Sequence, residues 1–127
     1  MTTILVVDDH ADNRAVLIAM LGITGYRVLT AINGQEAITV TLHHQPDLIL
    51  MDLAMPVMDG WSAITLLKQT PTLAHIPVIV ITAFATPEVR RRALNAGCDG
   101  YLEKPIEYDR LMTMVARVGV LVPGAQP

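Results

Sequence analysis

Short apolar runs recur along the chain: Ile4–Val7, Val28–Ala31, Leu48–Met51, Val78–Ile81 and Gly100–Glu103. Each is too short for a typical helix, and each gives way to polar residues. Pro46 and Pro56 bracket the third. Such runs predict buried strands. Segments of helical length separate or follow them: Ala11–Ile23, Asn33–His44, Asp59–Gln69, Pro87–Ala96 and Tyr108–Gly119. Strict alternation of strand and helix implies parallel strands joined by right-handed crossovers, with helices on both faces. The expected class is α/β, a three-layer α/β/α sandwich.

The helices differ in what they hide. In the fifth, Tyr108, Leu111, Met112 and Val115 form a stripe that should face the sheet. The fourth has only Val89, Ala93 and Ala96, a thin anchor. It carries Arg90, Arg91 and Arg92 in one turn, with Glu88 spaced to pair with Arg92. That cluster reads as a solvated face or as a docking surface for an acidic patch. The first helix turns Leu17, Met20 and Leu21 inward, yet its other side holds Ala15, Ile18, Ala19 and Gly22. A surface helix should be polar there, so this face predicts contact with another helix. The expected cover is a partner's helix; a second copy of the chain, or an apolar face left uncovered, are the alternatives.

Candidate chemistry gathers at the strand ends. The first strand runs into Asp8 and Asp9, the third stops at Asp52, the fourth ends in Thr82, and the fifth in Lys104-Pro105. Parallel strands put all their C-terminal ends on one edge, where ligands bind in open α/β sheets. Three carboxylates in one small pocket repel strongly, by about 4 kcal/mol for a pair ~4 Å apart at an effective dielectric near 20. Protonation, Lys104 or a bound cation relieves this. Carboxylate oxygens suit a hard ion, Mg²⁺ above all, with Mn²⁺ acceptable. No Cys/His cluster favours zinc, and His10 reads as a helix-start residue. Beside a carboxylate, a hydroxyl and an ammonium, such an ion makes a site for a phosphoryl group. Asp52 is the candidate nucleophile, since aspartyl phosphates are known intermediates. Asp59 reads as the N-cap of the third helix rather than as a ligand.

Composition narrows the picture. The chain has 127 residues, enough for one domain with a real core, and 52% of them are hydrophobic, which fits a sheet covered on both faces. A net charge of −3 gives no basic footprint for nucleic acid. No apolar run approaches the ~20 residues that span a bilayer, and no signal peptide is visible. Cys98 stands alone and predicts a small buried group in a reduced, cytoplasmic setting. The expected organisation is a folded domain over residues 1–119 and a tail over 120–127. The tail packs on the domain, joins two subunits, or is the stub of something longer.

Several motifs in order carry a family resemblance: Ile4-Leu5-Val6-Val7-Asp8-Asp9, Pro46-Asp47-Leu48-Ile49-Leu50-Met51-Asp52, Met55-Pro56-Val57-Met58-Asp59-Gly60, Ile81-Thr82-Ala83, and Ala96-Gly97-Cys98-Asp99-Gly100-Tyr101-Leu102-Glu103-Lys104-Pro105. Over its folded length the chain resembles the receiver domain of bacterial two-component response regulators. The resemblance implies a flavodoxin-like, five-stranded sheet of order 2-1-3-4-5 with five helices. It implies that Asp52 accepts a phosphoryl group from a phosphohistidine, on a sensor histidine kinase or a histidine phosphotransfer protein. Asp8, Asp9, Asp52 and the backbone carbonyl of Ala54 would hold Mg²⁺, and Thr82 and Lys104 would contact the phosphoryl oxygens. Thr82 and Tyr101 would act as the switch, altering the face of the fourth helix, fifth strand and fifth helix that a downstream protein reads. The phosphodonor would dock on the first-helix face; a homodimer through that face is the competing use. Ala54 and Phe84 are apolar where polar side chains place the attacking water in some members, so phosphate loss should be slow.

Two rivals stand beside this reading. An aspartate-nucleophile phosphatase would carry an Asp-x-Asp pattern on its first strand, whereas this chain has adjacent acids there. A pseudo-receiver scaffold would work without phosphate. The complete set of Asp8, Asp9, Asp52, Thr82 and Lys104 argues against it.

Overall fold

In the computed structural model the described residues are 2–53 and 59–122. The strands are β1 (Thr3–Val7), β2 (Arg27–Ala31), β3 (Leu48–Asp52), β4 (Val78–Thr82) and β5 (Gly100–Glu103). The helices are α1 (Ala11–Thr24), α2 (Gly34–His44), α3 (Gly60–Gln69), α4 (Pro87–Ala96) and α5 (Tyr108–Arg117). All neighbouring strands pair in parallel, in the order β2-β1-β3-β4-β5. The expected class, order and element count are all present.

Residue parity divides the core into two layers, because successive strand side chains point to opposite faces. Leu5, Val7, Ile49, Met51, Val78 and Val80 pack with Ala37, Ile38, Ala63, Ile64, Leu67 and Ala93 of α2, α3 and α4. Ile4, Val6, Leu48, Leu50, Ile79 and Ile81 pack with Leu17, Leu21, Leu111 and Val115 of α1 and α5. Each fully buried Leu or Ile contributes roughly 1.5–3 kcal/mol over its exposed state. This two-sided burial is why the strands read as continuous apolar runs rather than as alternating ones.

Helix ends follow the local sequence. Asn33 caps α2 by accepting a hydrogen bond from Glu36 N at 2.7 Å, and Asp59 caps α3 by accepting one from Ser62 N at 2.9 Å. Thr86 caps α4 by accepting from Val89 N at 3.2 Å. Helix α5 ends at Arg117, two residues earlier than expected, because Gly119 takes a left-handed conformation (φ 91°). From there the chain returns to the domain: Val120 is buried, Val118 and Val122 lean on the α1/α5 layer, and the Tyr26 hydroxyl donates to the Leu121 carbonyl at 2.9 Å.

Two expected contacts differ. Tyr108 does not face the sheet; it is 38% exposed at the first turn of α5, with its hydroxyl 2.6 Å from that of Thr24. The phenol thus finds a polar partner on α1 that the sheet does not offer. Arg92 does not pair with Glu88. Its guanidinium lies over the Trp61 ring at 4.4 Å, drawn across to α3 by a cation–π contact. Arg90, Arg91 and Arg92 are all exposed.

Candidate functional site

The sheet order brings β1, β3, β4 and β5 side by side, so their C-terminal ends share one edge. Asp8 and Asp9 follow β1, Asp52 closes β3, Thr82 closes β4, and Lys104 follows β5. Thr82 sits opposite Glu103 in the parallel register, and Lys104 N donates to the Thr82 carbonyl at 2.8 Å. That bond fixes the root of the lysine. The Lys104–Pro105 peptide bond is cis.

The acids are held firmly. Asp8 is 2% exposed. Its Oδ1 accepts from His10 N at 2.8 Å, its Oδ2 accepts from Lys104 Nζ at 3.1 Å, and its carbonyl accepts from an Arg14 guanidinium nitrogen at 2.8 Å. Lys104 Nζ also lies 3.6 Å from Asp52 Oδ2, so one ammonium bridges two carboxylates. Asp52 itself is buried. Gly60 supports it from below: a side chain there would press on the Asp52 carbonyl and come within 2.7 Å of Leu53 Cα. Only glycine permits α3 to start so close to the end of β3.

Ligand atoms of Asp8, Asp9, His10 and Asp52 all lie within 4.8 Å of one another. Two unit charges at 4.8 Å repel by roughly 3.5 kcal/mol at an effective dielectric of about 20. One lysine cannot neutralise three carboxylates. A buried oxygen, Asp9 Oδ1, has no hydrogen-bond partner. His10 Nδ1 comes within 3.0 Å of it, but the approach does not make a hydrogen bond. Three carboxylates in one cluster, one of them with a buried oxygen that makes no hydrogen bond, are a donor set compatible with a divalent metal ion. Ala54, the expected carbonyl donor, lies outside the described residues.

Around the acids, the Thr82 hydroxyl is buried and accepts from Phe84 N at 3.1 Å. The Phe84 ring is 71% exposed. Tyr101, opposite Val80 in the register, packs against the α2–α4 layer. Its hydroxyl is buried without a partner. Burial, and then the Glu103 charge, push its pKa above the usual phenol value, against the opposing effect of Arg90. The first-helix face is open: Ala15, Ile18, Ala19 and Gly22 are exposed, as are Val16 and Ile23. Sequence reasoning missed those last two, although they flank the stripe on a helical wheel. It also missed Gly60 as the support of Asp52, for which the Asp59-Gly60 pair at a helix start was the available signal.

Comparison with known proteins agrees with this geometry. The family model for the response regulator receiver domain matches residues 4–116. The polar-differentiation response regulator DivK of Brucella anthropi is 34% identical over 113 residues, covering 89% of this chain and 92% of that protein. The crystal structure of Vibrio cholerae chemotaxis protein CheY4 superposes with a TM-score of 0.87 at 30% identity, covering 93% of this chain and 98% of the other. The signal receiver domain of a signal transduction histidine kinase from Syntrophus aciditrophicus is 36% identical, with a TM-score of 0.86, over 93% of this chain and 89% of that one. The chain belongs to the response regulator receiver family. It is therefore a phosphoacceptor of two-component signalling, a signalling protein rather than a conventional enzyme. Receiver domains in general work with histidine kinases and with downstream targets. Among the described residues no helix is long and apolar enough to cross a membrane.

Proposed function

We propose that Asp52 is the phosphoacceptor and that the chain takes a phosphoryl group from a phosphohistidine on a sensor histidine kinase or a histidine phosphotransfer protein. The carrying observation is the Lys104 ammonium, 3.6 Å from Asp52 Oδ2 and bonded to Asp8, beside the orphaned oxygen of Asp9. An Asp52 oxygen displaces the histidine nitrogen at phosphorus, and the P–N bond breaks as the P–O bond forms. Lys104 positions the acceptor and meets a phosphoryl oxygen as a compact charge. The Thr82 hydroxyl, on the neighbouring strand, meets another. Asp8, Asp9 and Asp52 would hold Mg²⁺, or Mn²⁺ in its place, which supplies neutralisation of the charge on the transferring group. The cytoplasm, where Cys98 stays reduced, is the setting that suits these partners.

Phosphorylation adds about −1.5 to −2 charges. Thr82 and Tyr101 carry the change to the face formed by α4, β5 and α5, where a downstream protein docks. Moving a two-state equilibrium from 1:99 to 99:1 takes about 5.5 kcal/mol of differential contact, and a few charge-assisted hydrogen bonds supply that order. The short apolar stripe of α4 suits it to move, since only Ala93 of that helix is fully buried. The phosphodonor docks on the apolar outer face of α1. Gly22 supports this: a side chain at that position meets nothing within 4 Å, so the fold itself does not demand glycine there. A helical glycine gives up about 1 kcal/mol relative to alanine, and a smooth face for a close partner helix is a use for it.

Incubation with acetyl phosphate and Mg²⁺, followed by intact-mass measurement, tests the proposal. One stable phosphoryl adduct, absent in Asp52→Asn and in EDTA, is expected. Consumption of acetyl phosphate without an adduct would mean a phosphatase, and no reaction a scaffold.

A further inference from the structure

His10 has no role in the reading above, yet its ring stands at the acid cluster. It occupies the N-cap position of α1 but its side chain makes no capping bond. Its backbone N–H, by bonding Asp8 Oδ1, holds the residue against the acids. Nδ1 lies 3.0 Å from Asp9 Oδ1 and 3.5 Å from Asp8 Oδ1. Neither approach is a hydrogen bond, and Asp9 Oδ1 is buried with no hydrogen-bond partner, its near neighbour being the His10 ring. Two adjacent ligands of an octahedral ion with bonds of about 2.1 Å sit ~3 Å apart. His10 Nδ1 and Asp9 Oδ1, in close contact without a hydrogen bond, have that spacing, and both belong to the one cluster of ligand atoms. The ring is mostly exposed, so solvent and ions reach it.

We propose that His10 is a metal ligand through Nδ1, so that this receiver prefers late first-row divalent ions, Ni²⁺ and Zn²⁺, over Mg²⁺. This rests on the reading of Asp8, Asp9 and Asp52 as a metal site. An imidazole nitrogen adds little for a hard ion and much for ions towards the end of the first transition row. Loss of His10 therefore weakens the late ions selectively, whereas loss of a carboxylate weakens every ion.

Calorimetric titration of the metal-free chain with NiCl₂ and with MgCl₂ tests this. His43 and His44, exposed neighbours at the end of α2, are replaced by alanine in every protein compared, so that they take up no Ni²⁺. Ni²⁺ should bind more tightly than Mg²⁺. His10→Ala should lose at least about tenfold in Ni²⁺ affinity while Mg²⁺ affinity changes far less. Substoichiometric Ni²⁺ should also broaden the His10 ring resonances in an NMR spectrum. Equal losses for both ions, or an unchanged Ni²⁺ affinity with sharp His10 resonances, overturn the proposal but leave the Mg²⁺ site standing. A gain in affinity for both ions in His10→Ala overturns it too, by showing a protonated ring that repels cations. No Mg²⁺ binding even before His10 is changed removes the metal site and this proposal with it.

Discussion

Replacing Asp9 with asparagine should make the metal-free protein more stable. Asp9 faces Asp8 and Asp52 with ligand atoms no more than 4.8 Å apart. At an effective dielectric of about 20 each repulsion is roughly 3.5 kcal/mol. Lys104 offsets about one of the two, since its ammonium sits 3.1 Å from Asp8 and 3.6 Å from Asp52. The gross relief is then about 3.5 kcal/mol. The Asp9 side chain is 25% exposed, so solvent and carboxylate rotation recover part of the strain. A net gain of about 1–2 kcal/mol remains, which moves a urea midpoint by about 0.5–1 M for a slope near 2 kcal/mol/M. The assay is equilibrium urea unfolding in EDTA and again in Mg²⁺. Wild-type protein should gain in Mg²⁺, by about 1.4 kcal/mol at tenfold excess over the dissociation constant, and Asp9→Asn should not. A variant less stable than wild type in EDTA, or one that keeps the full Mg²⁺ response, would refute the crowded-carboxylate argument.

Gly60→Ala should lose about 1–3 kcal/mol from overpacking against Asp52 and Leu53, more than the ~1 kcal/mol that alanine gains in a helix. Unfolding measurements check the loss, and a variant as stable as wild type counts against the close approach. Tyr101→Phe deletes a buried hydroxyl with no partner and should gain about 1 kcal/mol in the unphosphorylated protein; a loss would reveal a hydrogen bond to that hydroxyl. Ile18→Glu places a charge on the open face of α1, 40% exposed in the wild type. It should slow phosphotransfer from the cognate histidine donor severalfold and leave labelling by acetyl phosphate unchanged. Equal slowing of both would move donor docking elsewhere.

Much of the fold was legible because burial on both faces leaves an unusual trace. A strand covered on two sides must be apolar at every position, so Leu48–Met51 and Val78–Ile81 announce themselves, and alternation with helices fixes the parallel sense. Helix starts at Asn33 and Asp59 were legible for the same kind of reason, since their side chains satisfy free N–H groups. Strand order came through family resemblance, because no local pattern encodes which strand lies beside which. Side-chain partners were the least legible. Arg92 had an acid at helical spacing and an aromatic ring on another helix, and the ring won. Nothing in one-dimensional spacing ranks those two contacts. The same holds for Tyr108, whose hydroxyl is met by Thr24 from 84 residues away. At the site, Asp8, Asp52, Thr82 and Lys104 could be placed on one edge from their positions at strand ends. The nearness of His10 was legible too, since it follows Asp9 directly; the turn of its ring onto Asp9 was not, because that depends on how the chain bends between Asp8 and the first turn of α1.

Trapping the phosphorylated chain with borohydride tests the central claim most directly. The reductant converts an aspartyl phosphate to homoserine, and peptide sequencing by mass spectrometry then locates it. Homoserine should appear at position 52 alone, after labelling in Mg²⁺, with residues 8 and 9 intact. Homoserine at either of those two positions, or at none, would contradict Asp52 as the acceptor.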